Sequence, residues 1–162
     1  VHVGIALAAL AIAFSQTYRF TEQKTLNLGQ TWRTHGMEIR LQSVGAREEG
    51  NRTAVIAPIE VRATNRDGWA SDGFYETRLN FYPQMGPQAL ATPVVKYSPY
   101  NDYYFVLQEF DRQGGQWATL KVIVTPMVLW LWIAGAVIVL GTLYILWPSG
   151  VRQPSRSAVP QT

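Results

Sequence analysis

The chain contains no cysteine and only two histidines. Thiolate metal sites, structural disulfides and thiol catalysis are therefore excluded, while the redox compartment stays open because a cysteine-free protein is stable in either. Also missing are a glycine-rich phosphate loop, a zinc motif and any Ser/His/Asp order, which leaves an independent hydrolase without a nucleophile, base or metal. A basic patch is missing too. The net charge is +3, but between about Thr21 and Lys121 charges of both signs nearly balance, so nucleic acid is not expected as a partner. Charge disappears altogether from Met127 to Trp147.

Hydrophobic residues make up 48% of the chain and gather at its two ends, and that distribution sets the class. The run from Met127 to Trp147 is about as long as the ~20 residues needed to cross the hydrocarbon of a bilayer. Pro126 suits its start, and Pro148 with Gly150 its end. Trp130 and Trp132 near one end and Tyr144 and Trp147 near the other match the aromatic belts of the two interfaces. The opening run, Val3 to Phe14, begins without a basic n-region, unlike a signal peptide. It is also shorter than a full span, so the helix is expected to begin upstream and the chain to be a fragment or the product of a split gene. Gly4, Ala8 and Ala11 recur at helical spacing and Gly135 and Gly141 interrupt the second run; small faces of this kind let helices approach closely in lipid and imply further membrane partners.

Orientation follows from the tail after residue 147, which carries Arg152 and Arg156 and no acid, and is expected to be cytoplasmic. The expected organisation is a transmembrane helix over 1–17, a β-rich extracytoplasmic domain over 18–125, a second transmembrane helix over 126–147 and a disordered cytoplasmic tail over 148–162. Both ends would then lie on the cytoplasmic side of a membrane crossed twice, with the central domain outside, in the periplasm or its equivalent.

Within that domain, apolar and polar residues alternate at Met37 to Leu41 and Ile59 to Thr64, with similar runs at Thr77 to Tyr82, Tyr103 to Glu109 and Ala118 to Val124 and weaker ones near Leu26 and Val94. Period two predicts half-buried strands. Asp67-Gly68, Asp72-Gly73, Gly86-Pro87 and Gly114-Gly115 are expected turns, and Glu48 and Glu49 are read as lying in a solvated loop. Some six to eight short strands in about a hundred residues predict an antiparallel β-sandwich or open barrel.

His2 stands at the head of an apolar helix, where an ionisable group is costly and usually paired or liganded. A neutral imidazole is a good axial ligand for haem iron, but hydrogen bonding to a neighbouring helix or reach to the interface accounts for the same position. His35, in the polar turn Thr34-His35-Gly36, is expected to be simply exposed. Tyr97, Tyr100, Tyr103, Tyr104 and Phe105 are dense enough to form a recognition surface, and core or edge packing explains them equally well.

Several strings also resemble the C-terminal portion of the CcmF family, the haem lyase subunit of cytochrome c maturation. His2-Val3-Gly4-Ile5-Ala6-Leu7 resembles the start of a late transmembrane helix of that family, and Thr125 to Gly135, followed by Gly141, resembles its last helix. Leu79 to Pro83 and Asn101-Asp102-Tyr103-Tyr104-Phe105-Val106-Leu107 resemble two strand motifs of its periplasmic domain. After Pro83 the family tends to place charged residues where this chain has Gln84 and Met85. The resemblance implies a part in attaching haem to the cysteines of apocytochrome c on the outer face of the membrane. It implies that His2 is one axial ligand of a membrane haem b, the second ligand coming from outside this chain. Around the aromatic run, Tyr100, Asp102, Tyr103 and Tyr104 are the residues expected to bind partners. Expected partners are the upstream part of the same lyase or its split subunit, other cytochrome c maturation proteins, the haem chaperone and apocytochrome c. Alone, the chain would be catalytically incomplete. The competing expectation is a membrane-anchored structural or protein-binding module without a cofactor.

Overall fold

The computed structural model describes residues 1–64, 71–86 and 88–147. The chain opens with helix α1 (His2–Thr17), continues through ten strands, and closes with helix α2 (Val128–Leu146). The strands are β1 (Phe20–Asn27), β2 (Thr31–Thr34), β3 (Met37–Leu41), β4 (Gly45–Glu49), β5 (Arg52–Ala63), β6 (Ser71–Phe81), β7 (Ala89–Thr92), β8 (Val94–Lys96), β9 (Asn101–Phe110) and β10 (Trp117–Pro126).

These strands form two antiparallel sheets, one in the order β1-β10-β9-β8 and one in the order β2-β3-β5-β6-β7, with β4 also pairing β5. One continuous core joins the sheets, with Leu26, Phe105, Leu107, Leu120 and Val122 from the first and Ile39, Leu41, Val55, Ile59 and Val61 from the second. The domain is therefore a sandwich. Alternation explains the division of faces: along β5, Val55, Ala57, Ile59 and Val61 point into the core, while Ile56, Pro58 and Arg62 face outward. Pro58 is tolerated in this central strand because of where it falls. β3 pairs with β5 up to Ile59 and β4 takes over at Ile56, so the missing N–H lies at the handover and interrupts neither ladder.

Two sequence expectations change. Glu48 and Glu49, read as loop acids, lie in β4, where Glu49 pairs with Arg52 at 2.7 Å across the β4–β5 hairpin. Asp72-Gly73, read as a turn, lies inside β6, opposite a register shift between Val61 and Arg62; a bulge tolerates the residues that mark turns. Gly114-Gly115 does form the β9–β10 hairpin, with Gly115 at φ 61° and the Asp111 carboxylate accepting N–H bonds from Gln113, Gly114 and Gln116. Asp67-Gly68 and the tail after residue 147 lie outside the described residues.

The helices pack against each other in antiparallel fashion, the head of α1 beside the far end of α2. Gly4 and Ala11 are buried on α1 and Ala134 on α2. A Cβ at Gly4 would stand 2.6 Å from Ile138 Cγ1 and 3.1 Å from the Ala134 carbonyl, so the approach depends on the small residue. Apart from this seam α2 is almost wholly exposed, from Leu131, Trp132 and Ile133 to Leu143, Tyr144 and Ile145. It is long and apolar enough to cross a membrane; α1, of 16 residues, is a shorter apolar helix.

Candidate functional site

β10 runs into α2 without a linker. Pro126 ends the strand, Met127 turns the chain in a left-handed conformation (φ 63°), and Val128 begins the helix. The Met127 N–H donates to the Tyr100 carbonyl at 2.9 Å, tying the foot of α2 to the segment that enters β9. In the angle between the helix and the outer face of the four-stranded sheet lies a pocket of about 560 Å³. Its walls are Tyr97, Ser98 and Pro99, the β9 residues Asp102 and Tyr104, and Val128, Leu129 and Trp132 of α2.

The two-residue period of β9 sorts the predicted contact residues. Asp102 and Tyr104 face the pocket, Tyr103 and Phe105 pack on the opposite face against the sandwich core, and Tyr100 is exposed in the loop ahead of the strand. The four residues therefore do not form one surface. Tyr97 and Trp132 complete the aromatic walls instead; the sequence shows Trp132 only as an interfacial ring, and no sequence signal marks Ser98.

Asp102 is the polar feature of the pocket. It is 4% exposed, and burial raises its carboxyl above the usual carboxylate range, opposed by the backbone N–H of Ser98, which donates to it. No cation pairs with it among the described residues. Burial also raises the Tyr104 phenol, the Asp102 and Tyr97 charges adding to the rise and Arg19 working against it.

His2 lies at the other end of the helices. It is exposed in the first turn of α1, and its imidazole makes no hydrogen bond to a described residue. Gly4, two residues on, faces α2; at about 100° per residue His2 therefore points to the opposite side, toward space that this chain leaves open. The run from His2 to Thr17 is about 22 Å long at 1.5 Å per residue, which sets the imidazole far from the sandwich.

His35 is exposed as expected, but it is also held. His35 (φ 46°) and Gly36 (φ 70°) make the tight turn between β2 and β3, the sign of φ that such a hairpin requires. The ring lies 3.9 Å from that of Phe20, and its Nδ1 is 3.0 Å from Thr34 Oγ1, whose hydroxyl donates to Glu22 Oε2. Because that hydroxyl has one proton, Nδ1 carries the hydrogen in this pair. Among the described residues no group of three or more histidines or acids could hold a metal ion.

No protein-family model matches the chain. It is 26% identical over 152 residues to the cytochrome c-type biogenesis protein CcmF of Escherichia coli (strain K12), an alignment that covers 94% of this chain and 22% of that protein. A solved structure of the cytochrome c haem lyase CcmF superposes with a TM-score of 0.64 at 44% identity, covering 91% of this chain and 23% of that one. Along nearly all of its length the chain is thus similar to a C-terminal portion of the haem lyase CcmF, a membrane protein of which it spans less than a quarter.

Proposed function

We propose that the chain serves as a component of a cytochrome c maturation haem lyase, helping to attach haem to apocytochrome c on the outer face of the membrane. The observation that carries this reading is the match to CcmF over more than nine-tenths of the chain, at 44% identity in the solved structure. α1 and α2 are the membrane-spanning parts of residues 1–17 and 126–147, the sandwich of residues 18–125 lies in the periplasm, and residues 148–162 form a cytoplasmic tail.

His2 is the residue proposed to ligate a haem b in the membrane. Its fit is chemical and geometric: an imidazole with no side-chain hydrogen bond to a described residue, on the side of α1 away from α2, would give haem iron one ligand and leave the other to a helix outside this chain. A haem held there by His2 would supply one-electron redox chemistry within the membrane. At about 22 Å from the foot of α1, His2 does not touch the thioether-forming groups on the outer face. The seam of Gly4, Ala11 and Ala134 keeps α1 fixed against α2 and so fixes where the imidazole points. The sandwich then acts as the outer platform for the haem chaperone and apocytochrome c, with the exposed Tyr100 in the region that meets partners, Asp102 and Tyr104 lining the pocket and Tyr103 turned to the core.

The test is haem attachment in cells whose own lyase has been deleted, carrying a complete lyase that includes this segment. Haem-stained c-type cytochromes should reappear with the parent sequence and fall to background with His2→Ala. Undiminished staining with His2→Ala, at equal lyase abundance, removes His2 from the mechanism.

A further inference from the structure

The pocket at the foot of α2 contains a buried carboxylate that has no counter-cation among the described residues. Asp102 is 4% exposed and receives one backbone N–H, from Ser98. A carboxylate removed from water is costly unless a cation or several donors replace its hydration. The described residues supply only part of that replacement. Arg19 is exposed and acts on Tyr104 through its charge, yet makes no ion pair with Asp102, and the first turn of α2 offers a partial positive charge of about half a unit.

The other walls are largely aromatic and apolar: Tyr97, Tyr104 and Trp132 line the same pocket as the acid, and Trp132 is 74% exposed. A carboxylate set among aromatic faces suits a planar guanidinium, which pairs with the acid through two N–H groups and stacks on rings while shedding its weak hydration. An ammonium is more strongly hydrated and gains less from such walls. The pocket opens beside α2, most of whose surface is uncovered. The chain spans 22% and 23% of its CcmF relatives, so most of such a protein lies outside this segment and is available to cover these helices.

We infer that this pocket seats an arginine side chain from the part of the haem lyase outside this chain, Asp102 pairing with the guanidinium and Tyr97, Tyr104 and Trp132 forming the walls. The inference rests on the proposed membership of a larger lyase, and it makes the pocket the point where sandwich and membrane bundle lock together. The same pocket filled by the amine of a lipid headgroup is the rival outcome.

The test uses the complete lyase in native membranes with p-benzoylphenylalanine in place of Tyr97, irradiated and analysed by mass spectrometry. The expected cross-link joins position 97 to a lyase peptide outside this segment that contains arginine. Asp102→Asn, which keeps an acceptor for the Ser98 N–H, should reduce that cross-link roughly tenfold or more, and substituting the arginine in that peptide should do the same. Circular dichroism confirms that each variant keeps its strands. Cross-links to lipid alone, to a lyase peptide without arginine, or at unchanged yield in Asp102→Asn overturn the inference. The b-type spectrum of the same preparations separates the two ideas: a spectrum that depends on His2 with an Asp102-independent cross-link fails the pocket alone. An Asp102-dependent cross-link with a His2-independent spectrum fails the haem assignment alone.

Discussion

Gly4→Ala is the change that most directly tests how the two helices are held. The added Cβ would stand 2.6 Å from Ile138 Cγ1 and 3.1 Å from both the Ala134 carbonyl oxygen and the Ile138 nitrogen. Carbon atoms settle at about 3.5–4.0 Å, so the helices must part or slide by about 1 Å. Overpacking of this kind costs about 1–3 kcal/mol, which lowers the docked population about 5- to 150-fold relative to undocked forms. The cysteine-free background offers a clean assay. A Cβ at Gly141 lies 3.7 Å from the Val1 Cα, within disulfide reach, so a Val1→Cys/Gly141→Cys pair should cross-link rapidly in detergent. Gly4→Ala should slow that reaction by the same factor, and Ile138→Ala added to it should restore part of the rate, the two backbone contacts at 3.1 Å remaining. Cross-linking at the parent rate in the Gly4→Ala chain would refute the close-packed seam.

Three further outcomes follow from the domain. Phe105 is 1% exposed with its ring 5.6 Å from that of Tyr75, and Phe105→Ala should cost about 3–5 kcal/mol in urea unfolding; a loss under 1 kcal/mol would place the core elsewhere. Asp102 has a folded-state pKa raised by burial, so its charge opposes folding above that pKa and ceases to do so below the unfolded value of about 3.9. Asp102→Asn should therefore unfold at higher urea than the parent at pH 7, with the gap closing as pH falls toward 4; a parent more stable at pH 7 would contradict the unpaired carboxylate. Asp111 is the opposite case, held low first by the Gln113 N–H and then by that of Gln116. Its contribution is present above pH ~4 and lost as pH falls through its lowered pKa, so the advantage of the parent over Asp111→Ala should shrink in acid and stay flat from pH 5 to 8.

The main strands were legible because burial imposes its period on them: Met37, Ile39 and Leu41 alternate with charged and polar residues, and all three are core. β4 was not, since Gly45 to Glu48 are exposed and the strand ends in three consecutive charges, and it exists through its backbone pairing with β5. Thr31–Thr34 is too short to show a period, although Trp32 is buried. At the candidate site, β9 could be read as a strand with Asp102 and Tyr104 on one face. Their meeting with Tyr97 and Trp132 could not, because it depends on the turn at Met127, a left-handed conformation that methionine does not advertise. His35 shows the same limit: its turn is local, whereas its contacts with Phe20 and, through Thr34, with Glu22 come from a neighbouring strand.

The central claim is that His2 binds haem within a larger lyase. The visible absorption spectrum of the complete complex, purified in detergent and recorded oxidised and then reduced, tests it most directly against the His2→Ala variant. The parent should show a b-type spectrum that is absent from the variant, with both complexes intact by size-exclusion chromatography. An intact His2→Ala complex with an unchanged b-type spectrum, or a parent complex with no haem absorption at all, would contradict it.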